Sequence, residues 1–507
     1  MDDPSDPSTR ILTHLSKTLS LSPPQSTHPP ATLTGLPTSH TGTAYLFLSV
    51  SAHHPRLQVH SYPAIHWARA YISNIPTPSA PLSLSLPHAE ETRGEESHGS
   101  GPVIGLLSDA LAGPAIRACV TKDLVHVRKF LALLAPVLEY IVISNNDTTN
   151  STSAMEIDPQ EPTTTVTTTS PPLPSCLFHG LAGTLYLLRL IRHWVPSSAP
   201  LVCGAIVHVS DYLLSPSPWT CPSHHPPPSA PPPPPAQSSA PIPEDRYGTA
   251  HGDLGIITQL VLTSPPLAPS LTDRLAALLD LQLPNGDWPS PPPPSFSASS
   301  PRPQEQEPPS DPEQSSIAPP TPDQTPTNPH NHATPTHHPT PSPSQRRGFA
   351  SGPQGLVLSL LSLRPFFPRL HSRIDDAVER ARAFLWAQAV DPDVLPGEAS
   401  LFYGSLSTAL TFPKGPQRTH LLQTASTSSP QTQHALSPPS HSNTNITPTS
   451  NTNTNTTSQT SSTPSAAVST TTTTTAGSVT TSPNPGSAWL HAVCERDLPR
   501  MIFYNDI

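Results

Sequence analysis

Two His-Gly pairs stand at the head of apolar runs, in "HGLAGTLYLLRLIRHW" (179–194) and "HGDLGIITQLVL" (251–262), and each brings a second glycine three residues on. The device returns without the histidine in "SGPQGLVLSLLSL" (351–363), in shorter form in "YGSLSTALTF" (403–412), and as a degraded copy in "HTGTAYLFLSV" (40–50). "GLLSDALAGPAIRACV" (105–120) has the same Gly-led, apolar character. Runs of this length, Leu-rich and apolar on nearly every side, fit helices buried all round better than strands.

A more amphipathic segment follows each of the longer runs: 123–142, 201–214, 271–283 and 372–390. In 271–281, Leu271, Leu275, Leu278 and Leu279 share one helical face, with Asp273 and Arg274 turned away. In 372–385, Ile374, Val378, Ala381 and Leu385 make the apolar stripe, Ser372 is placed to cap, and Asp375 and Asp376 sit in the first turn. Buried and half-exposed helices that alternate across short turns predict stacked αα-hairpins. Closed on themselves, these hairpins make an all-α fold, an α/α toroid with inner and outer helical layers. Glycine at the start of an inner helix permits positive φ and close backbone approach, and the free N–H groups there face the mouth of the ring. Side chains beside these glycines converge at one end of the fold, which is where a site is expected.

The 74 prolines among 507 residues are concentrated between these segments. Polar, Pro- and Thr-rich stretches bury too little apolar surface to offset chain entropy. The expected organisation is therefore a folded unit over 1–423 interrupted by disordered insertions at 143–175, 216–245 and 289–346. A further disordered insertion covers 424–486, and a C-terminal segment, 487–507, returns to the fold. The net charge of −10, with no basic stripe, argues against a nucleic-acid partner. Five scattered cysteines without a Cys-x-x-Cys pair fit a reducing compartment. The start "MDDPSDPSTR" lacks the pattern of a secretory signal, and the apolar run 130–144 is too short to span a bilayer. A cytoplasmic location with no transmembrane segment is expected.

With the repeats in place, the chain resembles the lanthionine synthetase C-like family, most of all its fungal members. "GTAHGDLGI" (248–256) is similar to that family's Ala-Ala-His-Gly motif, and "LPNGDWPS" (283–290) to its Pro-Ser-Gly-Asn-Tyr-Pro element. "GPQGLVLSLLSLRPFFP", "GPQRTHLL" and the tail "AWLHAVCERDLPRMIFYNDI" (488–507) carry the resemblance further. It implies an α/α toroid and zinc chemistry, in which two Cys and one His hold Zn²⁺ and the metal activates a thiol. That thiol, glutathione-like or a peptide cysteine, adds to a dehydrated Ser or Thr.

The implied ligand positions depart from this pattern. The first Cys-His-Gly falls on "FASG" (349–352), with Ala350 at the Cys position and Ser351 at the His position. The second falls on "LFYG" (401–404), with Phe402 and Tyr403 there. The expectation is a chain that has lost its metal site and needs no cofactor, with His251 left from the catalytic set. His251 is then either an acid/base group and polar anchor at the mouth or a structural histidine bonded to nearby loops. His179, one unit earlier, reads as a structural or capping residue. Asp253 and Asp287 are the carboxylates available for glycoside-type chemistry, which requires a facing pair. "CPSHH" (221–225) and "NPHNHATPTHHP" (328–339) hold metal-binding side chains, but in Pro-rich context that fixes no geometry. Three functions compete: a zinc-free binding or scaffold protein with a peptide or small-thiol partner, an active thiol-addition enzyme, and, ranked last, an abscisic-acid or G-protein-linked receptor role.

Overall fold

Buried backbone N–H and C=O groups must find partners, and helices supply them along about two thirds of the described chain. The computed structural model describes residues 6–25, 34–73, 103–151, 172–215, 219, 247–289, 348–391, 399–402, 404–427, 478–498 and 500–507. Among them are α1 (Pro7–Leu21), α2 (His40–His53), α3 (Ala64–Ser73), α4 (Asp109–Thr121), α5 (Leu124–Ser151), α6 (Leu181–Trp194) and α7 (Ala199–Leu214). They continue with α8 (Asp253–Thr263), α9 (Thr272–Asp280), α10 (Pro353–Leu363), α11 (His371–Val390), α12 (Leu406–Thr411), α13 (Pro416–Thr427) and α14 (Pro483–Val493). Strand structure among the described residues is one two-residue pair, β1 (Gln58–Val59) and β2 (Tyr62–Pro63), turned by His60 and Ser61 at positive φ. The all-α expectation holds.

The even-numbered helices touch in succession, α2 to α4, α6, α8, α10, α12 and α14, and α14 returns to α2. Each carries an odd-numbered helix on its outer side, with α3 on α2, α5 on α4, α7 on α6, α9 on α8, α11 on α10 and α13 on α12. The circuit is completed out of sequence order, because α1 packs on α14. Burial follows this division. In α6 every residue from Leu181 to Ile191 is buried, and in α8 the run Leu254–Val261 is buried. In α9 Leu275, Leu278 and Leu279 are buried while Asp273 is exposed.

Several boundaries differ from the sequence reading. Residues 143–151 continue α5, and Leu173 and Ser175 are buried, so the 143–175 insertion shrinks from both sides. Ser478, Val479 and Thr480 are also buried, and α14 begins at Pro483, inside the stretch assigned to the 424–486 insertion. Residues 424–427 complete α13. The 289–346 stretch and most of 216–245 lie outside the described residues, as do 221–225 and 328–339. Ser372 is not a cap, since α11 starts one residue earlier at His371 with no acidic residue in its first turn. Asp375 instead pairs with Arg364 at 2.6 Å. Pro196–Leu214 has the length and mean hydropathy, 1.2, of a membrane span. Its Val202, Ala205, Ile206, Val209 and Leu213 are buried, with α7 packed on α5 and α6.

Candidate functional site

The loops that enter the inner helices hydrogen-bond to one another in a closed series. The Leu36 N–H donates to the Leu106 carbonyl (2.7 Å), Leu106 to Leu177 (3.2 Å), Leu177 to Ala250 (3.1 Å) and Ala250 to Ala350 (2.9 Å). Ala350 donates to Phe402 (3.1 Å) and Phe402 to Thr480 (3.1 Å). The Thr480 hydroxyl then donates to the Pro37 carbonyl at 3.1 Å, beside the starting residue. One loop before each even-numbered helix enters this series, so the N-termini of these seven helices lie together.

The His-Gly-x-x-Gly device now has a physical reading. Its first glycine is the N-cap, and Gly180, Gly252 and Gly352 sit at φ −125, −109 and −102°. These are extended angles, so the expectation of positive φ is not met there. Ser39, Ser108 and Ser482 fill the same N-cap place in α2, α4 and α14. The second glycine is required by close approach. A Cβ at Gly183, Gly255 or Gly355 would lie 2.1, 2.0 or 2.0 Å from the carbonyl oxygen six residues earlier, that of Leu177, Thr249 or Phe349. The motif thus clamps each helix's first turn onto its own entry loop.

His251 and His179 occupy equivalent places in neighbouring loops, half-buried, with their rings stacked at 5.6 Å and 23°. Phe178 meets His251 edge-on at 5.2 Å. Backbone atoms of His179 also hold the series: its carbonyl accepts from Ile104 N–H at 2.9 Å, and its N–H donates to Cys176 Sγ at 3.4 Å. Ala350 and Phe402, which the sequence resemblance sets at cysteine positions, are buried at 3 % and 0 % exposure. Phe402 stacks on Phe178 (5.7 Å) and meets Phe349 edge-on (4.8 Å), and Phe349 in turn meets Tyr504 (4.9 Å). Tyr403 lies outside the described residues. Asp253 opens α8, whereas Asp287 sits in the turn after α9, where its Oδ1 accepts from Trp288 N–H at 2.8 Å. Gly286 of that turn, at φ +91°, backs onto the Arg380 carbonyl of α11. Among the described residues, no group of three or more His, Cys, Asp or Glu side chains is arranged to hold a metal ion.

Sequence reasoning missed the residues that fill the centre. Residues Met501–Tyr504 of the C-terminal tail are buried to 0 % exposure. The Tyr504 carbonyl accepts from Arg189 Nη2 of α6 (2.6 Å) and from Gln259 Nε2 of α8 (3.1 Å), and its hydroxyl bonds Ser359 of α10 (2.6 Å). Asn505 Nδ2 donates to Ser362 of α10 at 2.6 Å. Asp506 accepts from Tyr45 of α2 (2.6 Å) and Tyr186 of α6 (3.0 Å). Burial pushes the Asp506 carboxyl above the usual carboxylate range and both tyrosines well above theirs, so the phenols are donors. The available signal was polar: Tyr186, Arg189 and Gln259 stand inside otherwise apolar helices, and buried polar groups demand partners. Compared with protein-family models and with curated proteins, the chain matches none.

Proposed function

We propose that the closed series of inner helices is an α/α toroid of the lanthionine synthetase C-like type, and that this chain is a metal-free member acting as a peptide-binding or scaffold protein. The observation that carries the reading is the burial of Phe402 among Phe178, Phe349 and Phe503 at a cysteine position of the family. Zinc requires three or four N, S or O donors about 2.0–2.3 Å away. Ala350 and Phe402 have no side-chain donor, and the rings around Phe402 occupy the space a cation and its ligands need. The residues present do not fit the metal.

Without a metal, a thiol of pKa about 8.5 is only a few per cent ionised at neutral pH, so thiol addition lacks its nucleophile. What remains at the mouth is the His179–His251 pair beside an aromatic floor. The two half-buried rings present a polar aromatic edge to the mouth, and Phe178, itself buried, packs against His251 and fixes its orientation. His251 is therefore read as an anchor, not as the proton donor to an enolate.

Metal analysis and an addition assay test this directly. The purified protein is expected to hold well under one equivalent of zinc and to leave glutathione and a dehydroalanine peptide unreacted. The triple variant A350C/F402C/Y403H is expected to regain metal binding. Stoichiometric zinc in the unaltered protein, with turnover abolished by a chelator, would establish the competing enzyme reading.

A further inference from the structure

α1 and α14 pack together where the circuit closes on α2, and four histidines, one from each of these two helices and two from the end of α2, meet at that seam. The rings of His14 (α1) and His491 (α14) stack at 5.7 Å and 18°, and His14 Nδ1 lies 3.4 Å from Asn484 Oδ1. His53, at the end of α2, takes a hydrogen bond at Nδ1 from Arg496 Nη2 at 3.0 Å and lies against Trp489 at 5.8 Å. His54 Nε2 is 3.2 Å from the Ala492 carbonyl. Because a guanidinium only donates, His53 Nδ1 must carry its lone pair, and the ring is neutral in this contact.

We propose that this seam is an acid-sensitive latch. Protonation of His14, His53 and His491 separates α1 and α14 from the circuit and draws the C-terminal tail out of the centre.

The charged groups facing these rings are cationic. His14 faces Lys17 and Arg10 of its own helix, and His491 faces His14 and Arg10. His53 faces Arg496 and Arg500 of the segment after α14, and His54 beside it. On the other side of α14, α12 (Leu406–Thr411) carries no titratable residue, and α2 adds only His40 and Tyr45. An imidazolium at the seam would therefore sit among like charges, with Arg496 unable to act as its acceptor. Burial first, then these charges, pulls His53 and His491 down to about 4, and burial lowers His14. In the unfolded chain these groups return to 6.5. The seam is thus fully formed above pH 6.5, and its stability is lost as the pH falls from there toward 4.

The tail is coupled to the seam covalently and by contact. Residues 494–500 join α14 to the tail, Trp489 Nε1 donates to the Arg500 carbonyl at 3.0 Å, and Arg500 Nη1 donates to the Asp506 carbonyl at 3.2 Å.

Hydrogen exchange of the full-length protein between pH 8 and 4.5, corrected for intrinsic rates, tests the latch. Opening of 7–21 and 483–493 is expected to rise up to about tenfold per pH unit for each imidazole that titrates, beginning near pH 6.5. Amides 501–506 are expected to follow. Helices α8 and α9 contain no histidine and are expected to stay flat over the same range. His491→Phe keeps a ring in the stack and is expected to lessen the slope at the seam. Parallel profiles at the seam and at α8/α9, no acid-dependent opening, or a protected tail beside an open seam would each overturn the proposal. So would an undiminished slope in folded H491F. The comparison within the unaltered protein decides the matter if that variant does not fold.

Discussion

The Tyr45 hydroxyl donates to Asp506 Oδ2 at 2.6 Å, joining the first inner helix to the penultimate residue of the chain. With Tyr186 on the other carboxylate oxygen at 3.0 Å, Asp506 ties α2 and α6 together through the centre. Asp506→Ala removes the shared acceptor and is expected to destabilise the protein by about 1–3 kcal/mol for each hydroxyl left without a partner. Asp506→Asn keeps a carbonyl acceptor and is expected to cost much less. Because burial raises the Asp506 carboxyl, the ionised form is disfavoured in the folded state. The wild type's margin over D506N is fullest below the unfolded value of 3.8 and shrinks as the pH rises through the raised one. Denaturant titrations at several pH values check both statements.

Gly355 and Gly204 separate two uses of glycine. A methyl group on Gly355 would collide with the Phe349 carbonyl and the Thr249 hydroxyl, whereas nothing lies within 4 Å of one on Gly204 in the outer helix α7. Gly355→Ala is expected to cost more than about 3 kcal/mol, at the upper end of single substitutions. Gly204→Ala is expected to stabilise by about 0.5–1 kcal/mol, because an exposed helical glycine only adds chain entropy. Paired thermal melts read the opposite signs.

Arg418 of α13 binds three carbonyls. Its Nε donates to Phe412 at 2.8 Å, and its Nη1 to Cys494 and Arg496 at 2.7 and 2.9 Å. A lysine cannot reproduce that fork. Arg418→Lys is expected to destabilise by about 1–3 kcal/mol, the cost of buried acceptors left unmet. By contrast, Arg373→Ala, which breaks the exposed pair with Asp280, is expected to change stability by about 1 kcal/mol or less. Chemical denaturation of the two variants distinguishes them.

Among the four described cysteines, Cys203 is exposed while Cys119, Cys176 and Cys494 are buried. Burial also pushes the Cys119 and Cys494 thiols up, which lowers their thiolate fraction. Alkylation of the native protein followed by peptide mapping is expected to modify Cys203 well before those three.

The hairpins were legible because burial imposes a period on the sequence. Leu271, Leu275, Leu278 and Leu279 are all buried, as their spacing required. The places where the reading failed share one cause: local sequence does not reveal a partner far along the chain. Thr480 lies beyond a low-complexity stretch, yet its carbonyl and hydroxyl complete the series of loops, with Phe402 and Pro37 as partners. The N-terminal helix has a clear apolar face in Ile11, Leu15 and Leu19, but nothing in 7–21 indicates that it covers α14. At the mouth, Phe402 could be read as the loss of a ligand. That it joins a cluster with Phe178, Phe349 and Phe503 depended on three other loops. His251 stands just before the N-cap of α8, and its stacking on His179 follows from their shared position in consecutive repeats.

Each hairpin begins at one of the hydrogen-bonded entry loops, runs through a buried helix and continues into a half-exposed one. Where the chain leaves an outer helix it is back at the end from which it started: Tyr247, entering one loop, bonds the Pro289 carbonyl just past the next hairpin, and Leu173 bonds Tyr212 at the end of α7. The described residues that flank 290–347 both lie beside the entry loops: the Pro289 carbonyl accepts from Tyr247, and the Gly348 carbonyl accepts from Gly352 N–H. For a chain whose ends are already held near each other, doubling the length adds only about 0.6 kcal/mol of closure cost. These joints can therefore lengthen over evolution with little effect on the helices.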